Sequence, residues 1–278
     1  MNLSIAFSTC PNDTFIFDAL VNGRIPTGNL NFTKTLADIQ ALNTMALAGD
    51  VDIVKISFAL YPLISEKYQI LSAGAALGKG VGPLVISKRK IYPDEIQYAK
   101  VAVPGTHTTA NLLFSLAYPE AINKQVFLFS DIEEAILDNE VDVGVIIHEN
   151  RFTYVKKGLK KISDLGDYWE TQTKLPIPLG GIAIKRALPQ SIKQKANQLV
   201  RTSVEFALQT PNASYDFVRN NAQAMEFEVM QQHIELYVNN YSVNLGEFGR
   251  KAVTELLTRA DTSKTNKFTD LNDLLFID

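Results

Sequence analysis

The chain reads as an α/β protein of two lobes with a cleft between them, and three observations predict this. Short apolar runs alternate with longer helix-patterned segments through the first two thirds of the chain, the signature of βαβ units and a mainly parallel sheet. The order strand, polar loop, helix occurs twice in tandem, over 1–98 and again over 99–187, before a helical remainder, 188–278, that returns to the first lobe. Two glycine-rich apolar segments, GKGVGPLVISK and LGGIAIK, stand where the chain crosses between the lobes. A ligand pocket is then expected between the lobes, where loops follow the carboxyl ends of parallel strands.

The elements follow in order. LSIAFS (3–8) is a strand, and PNDTFIFDALVNG (11–23) a helix with Asp13 or Thr14 near its start and Gly23 past its end. NLNFTKTL (29–36) alternates as a strand, residues 38–50 form an amphipathic helix, VDIVKIS (51–57) is a third strand, and 58–68 reads as helical despite Pro62. After the segment 74–89 comes a fresh strand, loop and helix over 99–119. QVFLFS (125–130) is a strand, 131–142 a helix, VGVIIHE (143–149) a strand, and the apolar stretch within 175–188 another. From about Gln190 the pattern is helical, ending in a polar tail.

Composition bounds the function. With 278 residues, 46% hydrophobic and 21% charged, the chain has the make-up of a globular protein with a substantial core. A net charge of −3 gives no electrostatic case for nucleic acid or an anionic membrane. The single cysteine, Cys10, excludes an internal disulfide and a thiolate metal cluster, and no His/Cys spacing matches a metal site. No segment approaches the ~18 unbroken apolar residues of a membrane span. The N-terminus opens directly into a strand without a signal-like apolar stretch, so the expected location is the cytoplasm.

Four strand ends carry polar loops: residues 8–13, 55–57, 104–109 and His148 with Glu149. In the third, a strand stops at Pro104-Gly105, hydroxyl residues follow, and an apolar helix starts at once. A helix N-terminus presents unpaired N–H groups and positive partial charge, which suits a carboxylate or phosphate. Thr108 and Thr109 add hydroxyl donors, although Thr106 or Thr108 also reads as a plain N-cap. Ser57 ends a buried strand and reads equally as the cap of the next turn. Asn43 and Asp13 read as ligand contacts or as surface and capping groups. Cys10 reads as a buried hydrophobe. His148 stands where an apolar strand emerges, and an imidazole there suits proton abstraction near neutral pH. Glu149 points the other way if the strand continues. His107 lies in the threonine loop, and His233 fits a helix face. No phosphate-binding glycine loop and no G-x-S-x-G elbow is present.

The stretches STCPNDTFIFDALVNGRI, ALGKGVGPLV, VAVPGTHTTA, GVIIHENRFTY and LPIPLGGIA, in this order, resemble the 1,4-dihydroxy-6-naphthoate synthase family of the futalosine route to menaquinone. The resemblance runs over nearly the whole chain and is weakest after about residue 255. It implies a periplasmic-binding-protein-like fold of type II used as an enzyme. It further implies a carboxylate-bearing substrate, cyclic dehypoxanthine futalosine, split into 1,4-dihydroxy-6-naphthoate and dihydroxyacetone. His148 matches the family's base, Ser57, Thr108 and Thr109 its hydroxyl contacts, and Asn43 a further contact. Aromatisation drives the step, so no cofactor is implied. Two competing readings are a solute-binding protein with the same lobes, and chorismate dehydratase of the same pathway. The PNDTFIF and IIHENRF stretches favour the synthase.

Overall fold

The computed structural model of the chain describes residues 1–148, 150–222, 226–261 and 275–278. Its elements run β1 (Asn2–Phe7), α1 (Pro11–Val21), β2 (Asn31–Leu36), α2 (Ile39–Ala48), β3 (Ile53–Ser57), α3 (Tyr61–Ile64), β4 (Tyr68–Leu71) and β5 (Ala76–Gly78). There follow β6 (Leu84–Ser87), β7 (Val101–Val103), α4 (Thr109–Ala117), β8 (Lys124–Val126), α5 (Ile132–Leu137), β9 (Val143–Ile146), α6 (Asn150–Thr153), β10 (Lys160–Asp164) and α7 (Leu165–Thr173). Last come β11 (Ile177–Lys185), α8 (Gln190–Gln209), α9 (Tyr215–Asn221), α10 (Phe227–Tyr237), α11 (Asn240–Val243), α12 (Gly246–Ala260) and β12 (Phe276–Ile277).

The chain divides into two compact units: Met1–Gly78 with Pro178–Asp278, and Lys79–Ile177. The first boundary therefore falls after Gly78 and not near residue 98, because β6 pairs with β9 and β10 in the second sheet. The second falls before Pro178 and not near 187, because β11 pairs with β3 and β4 in the first.

In the first unit the sheet order is β12-β4-β11-β3-β1-β2, with β5 also on β11. Strands β2, β1 and β3 are parallel, and β11 runs antiparallel to β3 and β4. Every residue of β3 is buried, as befits a strand covered on both faces. Helix α1 starts on Pro11, which needs no N–H partner at that position, and is buried from Pro11 through Leu20. It packs on α8, where the fully buried Ser203 hydroxyl donates to Ile16 O at 2.6 Å and accepts from Leu20 N at 3.1 Å. Helix α2 is capped by Asp38, whose carboxylate accepts from Gln40 N and Ala41 N, and ends on Gly49 at φ 83°.

The second unit has its own five-stranded sheet in the order β10-β6-β9-β7-β8 and its own core, including Ile86, Ala102, Ile132, Ile136 and Ile146. Gly144 in β9 leaves room for α5, since a Cβ there would meet Ile132 at 2.5 Å.

Several expectations change. The stretch 58–68 is helical only to Ile64, and Tyr68 already begins β4. The strand expected over 125–130 is Lys124–Val126, followed by a 3₁₀ turn at Phe129–Asp131. The strand expected to reach residue 149 stops at Ile146. The orientation expected of Glu149, and most of the polar tail (262–274), lie outside the described residues.

Candidate active site

The candidate residues fall into two groups, one in each unit. In the first, the parallel pairing of β1 and β3 brings their carboxyl ends side by side, so Ser8 and Ser57 lie at the same end of the sheet. Asn43, on α2, joins Ser57 by two hydrogen bonds: its Nδ2 donates to Ser57 Oγ at 3.1 Å, and Ser57 N donates to its Oδ1 at 3.0 Å. Both side chains are buried. The Ser57 hydroxyl accepts from Asn43, so its own proton can be given to a ligand oxygen.

Beside this pair lies a buried ion pair, Lys55 Nζ to Asp13 Oδ1 at 2.8 Å. Asp13 also accepts from Ser8 Oγ at 2.7 Å, Ser8 N at 3.3 Å and Asn12 Nδ2 at 2.9 Å. A buried carboxylate costs several kcal/mol unless paired and fully hydrogen-bonded, and here it is both. Asp13 is thus neither a helix cap nor a surface group. The signal for this pair was a lysine flanked by Ile53, Val54 and Ile56 in a buried strand, which demands an anionic partner. Gly180 faces Ser57 in the next strand, where a Cβ would lie 2.7 Å from Ile56 O and 3.4 Å from Lys55 Cε. Cys10 is buried at the head of α1, and its N–H donates to Ser8 Oγ at 3.2 Å.

In the second unit, β7 and β9 are parallel, with Val101 opposite Val143, so the loops that follow them leave the same end of the sheet. One loop leads to Thr108, Thr109 and α4; the other carries His148. Thr108 is the cap of α4: its Oγ1 accepts from Asn111 N at 3.2 Å and donates to Gly105 O at 2.9 Å. Thr109 is the first helical residue and is buried. His107 is half-buried in the same loop.

His148 stands two residues beyond the strand, in the left-handed region at φ 56°. The turn redirects the chain into α6 and leaves the imidazole half-buried, edge-on to the Phe129 ring at a centroid distance of 5.0 Å. His233 is different. It is fully buried on α10 against Tyr237, at 4.6 Å, as part of the first unit's interior. Among the described residues no group of three or more His, Cys, Asp or Glu side chains is arranged to hold a metal ion. Nor is any described helix long and apolar enough to cross a membrane.

Comparison with known proteins identifies a family for the chain. A family described as Menaquinone biosynthesis matches residues 3–262. A 1,4-dihydroxy-6-naphthoate synthase of Streptomyces coelicolor is 43% identical over 263 residues, which cover 93% of this chain and 92% of that protein. A crystal structure of an Archaeoglobus fulgidus protein superimposes with a TM-score of 0.89 at 35% identity, over 94% of this chain and 97% of that one. A Candida albicans protein described as having the generic periplasmic binding protein fold superimposes with a TM-score of 0.71 at 12% identity, over 99% and 96% of the two chains, a likeness of fold alone. The chain has a periplasmic-binding-protein-like fold and belongs to the menaquinone biosynthesis family.

Proposed function

We propose that this chain is a 1,4-dihydroxy-6-naphthoate synthase, a cofactor-independent carbon–carbon lyase that converts cyclic dehypoxanthine futalosine into 1,4-dihydroxy-6-naphthoate and dihydroxyacetone. The observation that carries the reading is the pairing of β7 with β9, which sends His148 and the Thr108–Thr109 helix start out of the same end of one sheet, in a chain 43% identical to a synthase of that name. His148 is the general base. It takes a proton from the substrate, the sugar ring opens, and a carbon–carbon bond breaks as the naphthalene ring becomes aromatic.

Aromatisation supplies the driving force, so the protein's task is to hold the substrate, accept the proton and stabilise developing negative charge. The first turn of α4 offers backbone N–H groups and positive partial charge to the substrate carboxylate, with the Thr109 hydroxyl beside them. Thr108 shapes that turn as its cap. Ser57, oriented by Asn43, donates its hydroxyl proton to a substrate oxygen. The enzyme works in the cytoplasm, a location that its biosynthetic relatives support.

The test is turnover. Purified protein is incubated separately with cyclic dehypoxanthine futalosine and with chorismate, and the products are read by mass spectrometry. Formation of 1,4-dihydroxy-6-naphthoate and dihydroxyacetone from the first supports the assignment. Consumption of chorismate, or tight binding of either compound without conversion, overturns it.

A further inference from the structure

We propose that Arg151 is a positioning residue that holds the His148 turn in its working geometry; this rests on the reading of His148 as the base. A histidine at φ 56° occupies backbone space that costs a non-glycine residue about 1 kcal/mol or more and persists only where the surroundings fix it. Helix α6 is four residues long, too short to be held by its own hydrogen bonds. Phe129 supports the imidazole through its ring, a contact that limits tilt without fixing the backbone.

An anchor is Arg151, three residues beyond the histidine. Its Nη1 donates to Gly82 O at 2.6 Å, and its Nη2 pairs with Asp164 Oδ2 at 3.3 Å. Both side chains are largely withdrawn from water, with 15% and 9% exposure, so this pair is screened far less than a surface one.

The partners are themselves immobilised. The other oxygen of Asp164 caps α7, accepting from Gly166 N at 2.8 Å and Asp167 N at 3.4 Å. Gly82 and Gly166 press backbone to backbone, and a Cβ on Gly82 would overlap the Gly166 nitrogen. Strand register completes the frame: Leu84 of β6 lies opposite both Asp164 of β10 and Ile146 of β9. Arg151 therefore ties the chain just after it leaves β9 back to the start of β6 and the end of β10. A planar guanidinium can serve a carbonyl and a carboxylate in two fixed directions at once; a lysine ammonium, a point charge on a flexible stem, does not reproduce that fork.

A double-mutant cycle separates positioning from plain stabilisation. kcat, KM and Tm are measured for Arg151→Gln, Arg151→Lys, His148→Asn and the double variant His148→Asn/Arg151→Gln, with cyclic dehypoxanthine futalosine as substrate. Misplacing a base by about 1 Å costs on the order of a hundredfold in rate, so Arg151→Gln is expected to lower kcat roughly ten- to a hundredfold with little change in KM. Arg151→Lys should recover only part of that loss. In the His148→Asn background the same Arg151→Gln change should leave the residual rate unaltered, because there is no base left to misplace.

An equal fold-loss in both backgrounds, or normal kcat in folded Arg151→Gln, overturns the proposal while leaving His148 as the base. Near-normal turnover in His148→Asn alone removes the base and the positioning role with it. If Arg151→Gln does not fold, Asp164→Asn carries the same cycle, since its amide oxygen still caps α7 while the charge facing Arg151 is gone.

Discussion

At the scale of single residues, the two threonines at the start of α4 carry different predictions. Thr108 spends its hydroxyl on the cap of α4, so Thr108→Val should lower stability by about 1 kcal/mol, read as a reduced Tm. Thr109 is the candidate anion contact, so Thr109→Val should weaken substrate binding by the roughly 1.5–3 kcal/mol of a hydrogen bond to a charged group. Calorimetric titration and thermal melts on both variants check this, and unchanged binding in Thr109→Val would remove Thr109 as the anion contact. His148→Asn is a clean substitution because asparagine tolerates the left-handed backbone that the turn requires. Turnover is expected to fall by about 10²- to 10⁴-fold with the melting temperature preserved. A folded variant with ordinary turnover would sink His148 as the base. The position of this histidine at a strand end was legible in the sequence. Its left-handed backbone was not, because no glycine marks the turn.

At the scale of elements, the junction of α3 and β4 joins two buried phenols. Tyr61 OH donates to Tyr68 O at 2.9 Å, and Tyr68 OH donates to Val51 O at 2.7 Å. Burial pushes both up to about 12; the Arg186 guanidinium pulls Tyr61 partly back, and the Asp52 charge adds to the rise at Tyr68. The folded value lies above the unfolded value of about 10, so the unfolded chain releases these protons first. Their contribution to stability is complete below pH 10 and is lost as pH rises through 12. Tm should therefore hold to about pH 10 and then fall steeply, and Tyr61→Phe or Tyr68→Phe should flatten that fall while lowering Tm modestly at neutral pH. An unchanged alkaline slope in both variants would refute the link. Sequence patterning missed β4 because four apolar or neutral residues do not distinguish a strand from the end of a helix. It missed α7 because DLGDYWETQT shows no strong apolar stripe. It found β3 easily, since an apolar run between turn signals has few other readings.

At the scale of the whole molecule, the repeated strand–loop–helix order was readable, but the partners that close each sheet were not, because they are distant in the chain. Lys55 and Asp13 meet across 42 residues, and β12 reaches β4 from the far C-terminus. That last strand buries Phe276 and Ile277, Leu275 just before it is also buried, and Asp278 is held by Ser72 Oγ at 3.0 Å and by Arg250. Deleting residues 275–278 should cost about 4.5 kcal/mol or more, at about 1.5–3 kcal/mol for each of three large apolar side chains returned to water. Chemical denaturation measures it, and an unchanged midpoint would show that the strand contributes nothing. The split of the first unit between the two ends of the chain also sets a timetable for folding. The sheet of residues 79–177 is closed by strands that are all present once Ile177 has been made, whereas β4 must wait for β11 and β12 before it has either neighbour. The inserted unit can thus fold while the first remains open-edged, and its contacts are the shorter-range ones, which form faster. Pulse-labelled hydrogen exchange during refolding should find the amides of β6, β7 and β9 protected before those of β4 and β11, and the reverse order would mean that the long-range strands nucleate folding.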